Sequence, residues 1–437
     1  METQVPIVGK LDSEPHKGDP QSQAGVEMPS FTSAPFLAAM AALTLGVILS
    51  ALTPYFADEA YYLAWSERLS LGYFDHPPLF AWLGAAFGGP RQAAFVCVVL
   101  TSALLADCGR RLAAPQWSWI PALYLWTPLG FASFLVATPD AACTLFFALT
   151  LWGVVTKRGV AVTLGVALML WSKHTSVIAL PGLIVVLGVR RSTQCLLPAL
   201  ALYAPHIFWS SGHGWLPWSF QGTRKLTGFW LHDFLGGQAL VLGPVMLFVL
   251  VRWLKGSRTA QPGLWWISTP ILAFWLMASM VTKVEANWPA LAWPGALVGV
   301  STALQSPPKG LVRWTAGLTI LLGLLIALGT HWAPLQKGPP RDGGALAACV
   351  SALGGADSYT IRYQEQALLE AAGLAPQYRR PLERRRSQFD LWSPSETPRC
   401  GGIYVGPSEE FREACPDGRL GRIRCGGLVS ECLCAER

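Results

Sequence analysis

From Pro35 onward the apolar residues of this chain gather into long runs separated by polar breaks. The runs are roughly 16 to 22 residues long, the length an α-helix needs to cross about 30 Å of hydrocarbon. About eleven can be drawn, at 36–56, 92–109, 117–138, 141–156, 159–173, 175–189, 194–211, 237–254, 264–281, 289–305 and 312–332. The pattern predicts a polytopic α-helical membrane protein, with about eleven transmembrane helices over 36–332 and a large first loop at 57–91. The remainder, 333–437, has too few apolar residues to span and enough for a small core.

The polar breaks set the orientation. Residues 1–35 are polar, contain Pro, Gly, Gln and Ser, and lack the apolar centre of a cleavable signal peptide, so they read as a disordered cytoplasmic tail. Alternate breaks then carry Arg110 and Arg111, Lys157 and Arg158, Arg190 and Arg191, Arg252 with Lys255 and Arg258, and Lys309 with Arg313. The opposite short loops carry few Lys or Arg, and the positive-inside rule puts the basic set in the cytoplasm. An odd number of spans leaves 333–437 outside, where six of the ten cysteines fall: Cys349, Cys400, Cys415, Cys425, Cys432 and Cys434. Disulfides persist there, and the spacing lacks the paired CxxC arrangement of structural zinc. The expectation is a disulfide-braced α/β unit without metal. The other four cysteines lie in or beside spans and read as packing residues. Composition agrees with a bilayer as solvent: 52% of residues are hydrophobic and 14% charged, against about 25% charged in soluble domains.

Between residues 36 and 332 the carboxylates are Asp58, Glu59, Glu67, Asp75, Asp107, Asp140, Asp233 and Glu285, and all except Asp107 map to the outer side. His76, His174, His206, His213, His232 and His331 map there too, as do Lys173, Arg224, Lys225 and Lys283. Ionisable groups near the membrane are expensive, so this one-sided gathering points to chemistry at the outer interface. The plainer reading is a wet loop carrying its ordinary charges. That reading fits poorly at Asp140, alone in the short break Thr138-Pro139-Asp140, and at Lys173, a cation on the side where cations are scarce.

The first outer loop reads DEAYYLAWSERLSLGYFDHPPLFAWL from Asp58 to Leu83. Adjacent carboxylates directly after a span can place one in an interfacial cavity, as a general base, while the other holds it. Tyr61, Tyr62, Trp65, Leu69 and Leu71 among polar residues predict an amphipathic helix on the membrane surface, ended by Pro77 and Pro78.

At this string the sequence resembles the bacterial polyprenyl-phosphate-sugar glycosyltransferases of the GT-C class, near the lipid A aminoarabinose transferases and the protein O-mannosyltransferases. The resemblance continues through TPD at 138–140, WSKHTS at 171–176, HGW at 213–215, GGQ at 236–238, VEANWP at 284–289 and QFDLW at 388–392. It implies a GT-C glycosyltransferase fold in a bacterial inner membrane, an outward-facing cavity and metal-independent, inverting transfer from a polyprenyl-phosphate sugar donor. Residue by residue, the first-loop carboxylate of the family falls on Asp58 with Glu59 beside it, the second-loop aspartate on Asp140, and the lysine of the SKxT segment on Lys173.

In that mechanism Asp58, Glu59 and Asp140 form the catalytic set, with Asp58 as base. Lys173, Arg224, Lys225 and Lys283 are the cations for the donor phosphate. Tyr61, Tyr62, Asp75, His76, His174, His213, Glu285 and Asn287 are expected to line the cavity, although His213 reads equally as a capping histidine and Glu285 with Asn287 as an interfacial anchor. No cofactor is implied. The partners are the lipid donor, membrane lipid and a glycolipid or protein acceptor, with no nucleic acid. The alternative is a transporter or flippase for polyprenyl-linked sugars, which would place charges near mid-membrane and show related halves; neither is visible. In the outer unit, Tyr359 to Gly373 has helical spacing, and the run from Arg379 to Arg386 reads as a solvated basic face or a contact for anionic lipid.

Overall fold

The computed structural model describes residues 30–222, 227–254, 262–302, 304–332, 342–354, 358–380, 386–393, 402–407, 418–421, 424–425 and 428–434. Most of the predicted tail therefore lies outside the described residues. The chain enters at α1 (Ala34–Leu52), then makes two short helices, α2 (Ala57–Glu67) and α3 (Leu79–Phe87), before the long α4 (Pro90–Arg111). Next come α5 (Ile120–Leu125), α6 (Pro128–Leu135), α7 (Pro139–Val155) and α8 (Gly159–Ser172). The kinked α9 (Leu180–Gly212) follows, with α10 (Leu216–Gly222), α11 (Leu231–Leu254), α12 (Pro262–Ala278), α13 (Ala292–Ser301) and α14 (Lys309–Trp332).

Every predicted apolar run is helical, yet four helical stretches are long and apolar enough to cross a membrane among the described residues: Ala34–Leu52, Pro90–Arg111, His174–Gly212 and Lys309–Gly329. The other apolar runs form shorter or kinked helices among the described residues. Proline and glycine are the reason. The run 117–138 breaks at Pro121 and Pro128 into a 3₁₀ turn, α5 and α6, since proline lacks the N–H and crowds the preceding turn. Runs 175–189 and 194–211 join through a kink at Gly188, whose φ of +73° is a left-handed value open to glycine.

One apolar core runs between α1 and the helices from α4 to α14, through Leu105, Ile120, Phe147, Met169 and Ile267. A second lies around α2, where Tyr61, Tyr62, Trp65, Tyr73 and Phe80 pack with Ala141, Leu368, Tyr378 and Phe389. The predicted surface helix is thus α2, but its aromatic face is covered by protein, and Leu69 and Leu71 are the exposed apolar residues.

The C-terminal part contains α15 (Gly343–Ala352), β1 (Ser358–Thr360), α16 (Tyr363–Ala371), β2 (Gln377–Tyr378), α17 (Phe389–Trp392), β3 (Ile403–Val405), β4 (Gly418–Leu420) and β5 (Val429–Cys434). The strands form a mixed sheet of order β2-β1-β3-β5-β4, with β1 parallel to β2 and β3. β5 runs antiparallel to β3 and β4. The predicted helix begins at Tyr363 rather than Tyr359, because Tyr359 is taken up by the sheet. Cys349 is bonded to Cys425, and Cys97, Cys108, Cys143 and Cys195 are buried free thiols. Cys400 and Cys415 lie outside the described residues. The basic run is not a solvated face at its start: Arg379 and Arg380 are 9% and 8% exposed, Arg380 pairs with Asp390 at 2.6 Å, and residues 381–385 lie outside the described set.

Candidate active site

α2 follows α1 after residues 53–56, and its first turn carries Asp58 and Glu59 on successive positions about 100° apart around the axis. They cannot share a direction. Asp58 lines a cavity of 490 Å3 at the α2 end of the helices, within the range of small-ligand sites. Glu59 turns the other way and is fully buried, at 0% exposed. Its Oε1 accepts from Ala137 N at 2.8 Å and Arg91 Nε at 3.0 Å. Its Oε2 accepts from Phe56 N at 2.9 Å and Arg91 Nη2 at 2.7 Å. The rest of the Arg91 guanidinium donates to the carbonyls of Ser50, Thr53 and Pro54. Glu59, expected beside Asp58 in the catalytic set, does not line the cavity: its hydrogen bonds tie the end of α1, the starts of α2 and α4, and the backbone entering α7.

Across the cavity, Thr138 and Pro139 open α7 and place Asp140 on its first turn. Lys173, at the end of α8, meets Asp140 Oδ1 at 2.5 Å, with side chains 11% and 17% exposed. Asn287 Nδ2 donates to Asp140 Oδ2 at 2.8 Å. Lys173, expected as a cation for a donor phosphate, has its charge matched by Asp140 in this structure.

Tyr61, Tyr62, Asp75, His76, Glu285 and Asn287 line this cavity. Burial, then the charges of Asp58 and Asp75, push the Tyr62 phenol well above its ordinary value, so it stays neutral. His174 and His213 do not line it. His174 is buried, with Nε2 3.1 Å from His206 Nε2; His206 Nδ1 is 2.8 Å from the Leu71 carbonyl, which pins the segment between α2 and α3 to α9. His213 is exposed and stacks on Trp209 at 4.0 Å. Beside them Gly72 admits Trp209 so closely that a Cβ would fall 2.2 Å from the indole. Lys283 is more than half exposed and pairs with Glu285 at 3.4 Å. Arg224 and Lys225 lie outside the described residues, shortly after Phe220 of the cavity wall.

The C-terminal unit supplies a wall that the sequence did not assign to the site. Tyr363, on the first turn of α16, lines the cavity and donates from its hydroxyl to Asp58 Oδ1 at 3.0 Å. Helix periodicity marks Tyr363 as a packing position and carries no sign of this contact. Gln388 joins the unit to the first loop: its N–H donates to Tyr61 Oη at 2.5 Å, and its Oε1 accepts from Phe74 N at 2.8 Å. Arg68 pairs with Glu370 at 3.1 Å and lies over the Trp392 ring. Among the described residues, no group of three or more His, Cys, Asp or Glu is arranged to hold a metal ion.

The cavity thus offers one carboxylate held by a neutral hydroxyl, a second neutralised by a lysine, and an excess of acids over bases. Such a site can take a proton from an incoming hydroxyl and orient a sugar. No protein-family model matches the chain. It is 26% identical over 318 residues to the lipid A galacturonosyltransferase RgtD of Rhizobium johnstonii, a match covering 64% of this chain and 66%, just under two thirds, of that protein. Its fold matches crystal structures of ArnT from Cupriavidus metallidurans. The apo form gives a TM-score of 0.61 at 14% identity, and the form bound to undecaprenyl phosphate gives 0.63 at 15%, each covering 90% of this chain and 96% of ArnT. The resemblance read from the loop motifs holds in sequence and in fold.

Proposed function

We propose that the protein is a bacterial inner-membrane glycosyltransferase that moves a sugar from a polyprenyl phosphate to a glycolipid, lipid A or a close derivative, at the periplasmic face. The observation that carries the reading is the pairing of Asp58 and Asp140 across one outer-end cavity on a fold shared with a protein that binds undecaprenyl phosphate. Asp58 takes the proton of the acceptor hydroxyl as its oxygen bonds to the anomeric carbon. The bond from that carbon to the phosphate oxygen breaks, and polyprenyl phosphate leaves with the electron pair. Attack opposite the leaving group inverts the anomeric centre. Asp140, held by Lys173 and Asn287, orients the sugar or the acceptor.

The phosphate needs positive charge, and among the described residues of the cavity Asp58, Asp75, Asp140 and Glu285 face one lysine, Lys173. Arg224 and Lys225, following Phe220, and Lys283 at the rim are the cations for this role, with arginine able to grip phosphate through two parallel hydrogen bonds. The basic breaks support a periplasmic cavity and C-terminus. A lipid acceptor is favoured over a protein one because the curated relative acts on lipid A. Purified protein given polyprenyl-phosphate sugar and lipid A should yield a glycosylated lipid. Transfer to periplasmic protein alone would overturn the acceptor, and carrier movement without transfer would overturn the reaction.

A further inference from the structure

We infer that Tyr363 is a positioning residue for the transfer, holding the Asp58 carboxylate in the orientation from which it takes the acceptor's proton, and that the C-terminal unit is thereby part of the reaction machinery. This rests on the reading of Asp58 as the base and adds a residue, 305 positions away, that the reading did not contain.

Asp58 sits at the exposed edge of the first turn of α2. A carboxylate there has several staggered side-chain conformations, of which some point away from the cavity. The Tyr363 hydroxyl at 3.0 Å from Oδ1 selects one of them and leaves Oδ2 open to the acceptor. The choice of holder matters chemically. Asp140 is gripped by a lysine, which matches its charge; Asp58 is gripped by a neutral phenol, which fixes the group without adding a cation beside it. The two carboxylates are thereby set up for different work, one for orientation and one for proton uptake.

The position of Tyr363 does not depend on that hydrogen bond. Its ring packs 4.8 Å from that of Tyr61, and the Arg68–Glu370 pair and the Gln388 hydrogen bond to Tyr61 seat the unit independently. Replacing the hydroxyl by hydrogen therefore removes the grip and keeps the packing.

The test uses full-length protein in lipid nanodiscs with a polyprenyl-phosphate sugar and lipid A, measuring single-turnover rate, equilibrium donor binding and thermal unfolding. Tyr363→Phe should lose about 10-fold in rate, or about 1.4 kcal/mol, with donor affinity and unfolding temperature unchanged. In the Asp58→Asn background the same change should cost nothing further, because the group it positions is gone. A parent-like rate in Tyr363→Phe alongside an inactive Asp58→Asn overturns the role of Tyr363 alone. Donor affinity falling in step with rate, or full additivity in the double variant, also overturns it, by making Tyr363 a substrate contact or a structural prop. An active Asp58→Asn instead overturns the assignment of the base.

Discussion

Glu59→Gln separates a structural carboxylate from its chemical neighbour. The parent side chain accepts four hydrogen bonds at 2.7 to 3.0 Å, two of them from Arg91. An amide can accept on one oxygen only, so its NH2 would face either the Phe56 N–H with Arg91 Nη2 or the Ala137 N–H with Arg91 Nε. Donor meets donor in both orientations, and a guanidinium 14% exposed loses its counter-charge. Removing one partner of a buried pair costs about 3–5 kcal/mol. The lower figure applies because Arg91 keeps three backbone carbonyls. At roughly 2 °C per kcal/mol for a long chain, the unfolding midpoint in detergent should fall by about 6 °C. Replacing both partners, Glu59→Leu with Arg91→Met, should recover part of that loss, since an apolar pair leaves no stranded charge. The folded fraction of Glu59→Gln should still turn over substrate, within the reduction expected from a shifted α2 and α7. If Glu59→Gln unfolds at the parent temperature while its rate falls 100-fold or more, the size of a general-base effect, then Glu59 serves the chemistry and the joint described here is wrong.

Two further outcomes follow from the same geometry. Lys173→Met should leave donor affinity within about threefold of the parent, a change below about 0.7 kcal/mol, while lowering rate and stability; Asp140→Asn added to it should restore stability but not rate, and a 10-fold weaker donor affinity in Lys173→Met would return the lysine to the phosphate site. Alkylation without reduction, followed by peptide mapping, should find Cys349 linked to Cys425 and Cys97, Cys108, Cys143 and Cys195 free; closing a loop of 76 residues is worth about 4 kcal/mol, so Cys349→Ser should loosen the C-terminal unit and, through Tyr363, slow transfer.

The site was legible in the sequence to the extent that its charges were rare. Asp58, Asp140 and Lys173 stand out because an apolar chain leaves few carboxylates and histidines between residues 36 and 332, and most of those fall in alternate polar breaks. Their pairing was not legible. Glu59 reads as a partner of Asp58 by adjacency, yet its partner is Arg91, and nothing local announces a contact across 32 positions. Lys173 reads as a spare cation until α7 and α8 pack side by side and bring Asp140 to it. Tyr363 is hidden further, since an aromatic at helical spacing is core by default and its role exists only once α16 is seated on α2. The helices were legible as apolar runs; their lengths were not, because Pro121, Pro128 and Gly188 act within stretches whose hydropathy is unbroken.

The most direct test of the central claim is transfer by Asp58→Asn. Purified parent and variant, each in nanodiscs with a labelled polyprenyl-phosphate sugar and lipid A, are compared by the rate of label entering the lipid, with donor binding measured in parallel. The account predicts that the parent forms one glycosylated product of inverted anomeric configuration, and that Asp58→Asn binds donor as the parent does but transfers at least about 100-fold more slowly. A variant that keeps more than about a tenth of the parent rate, or a parent that binds the donor without transferring sugar, would contradict it.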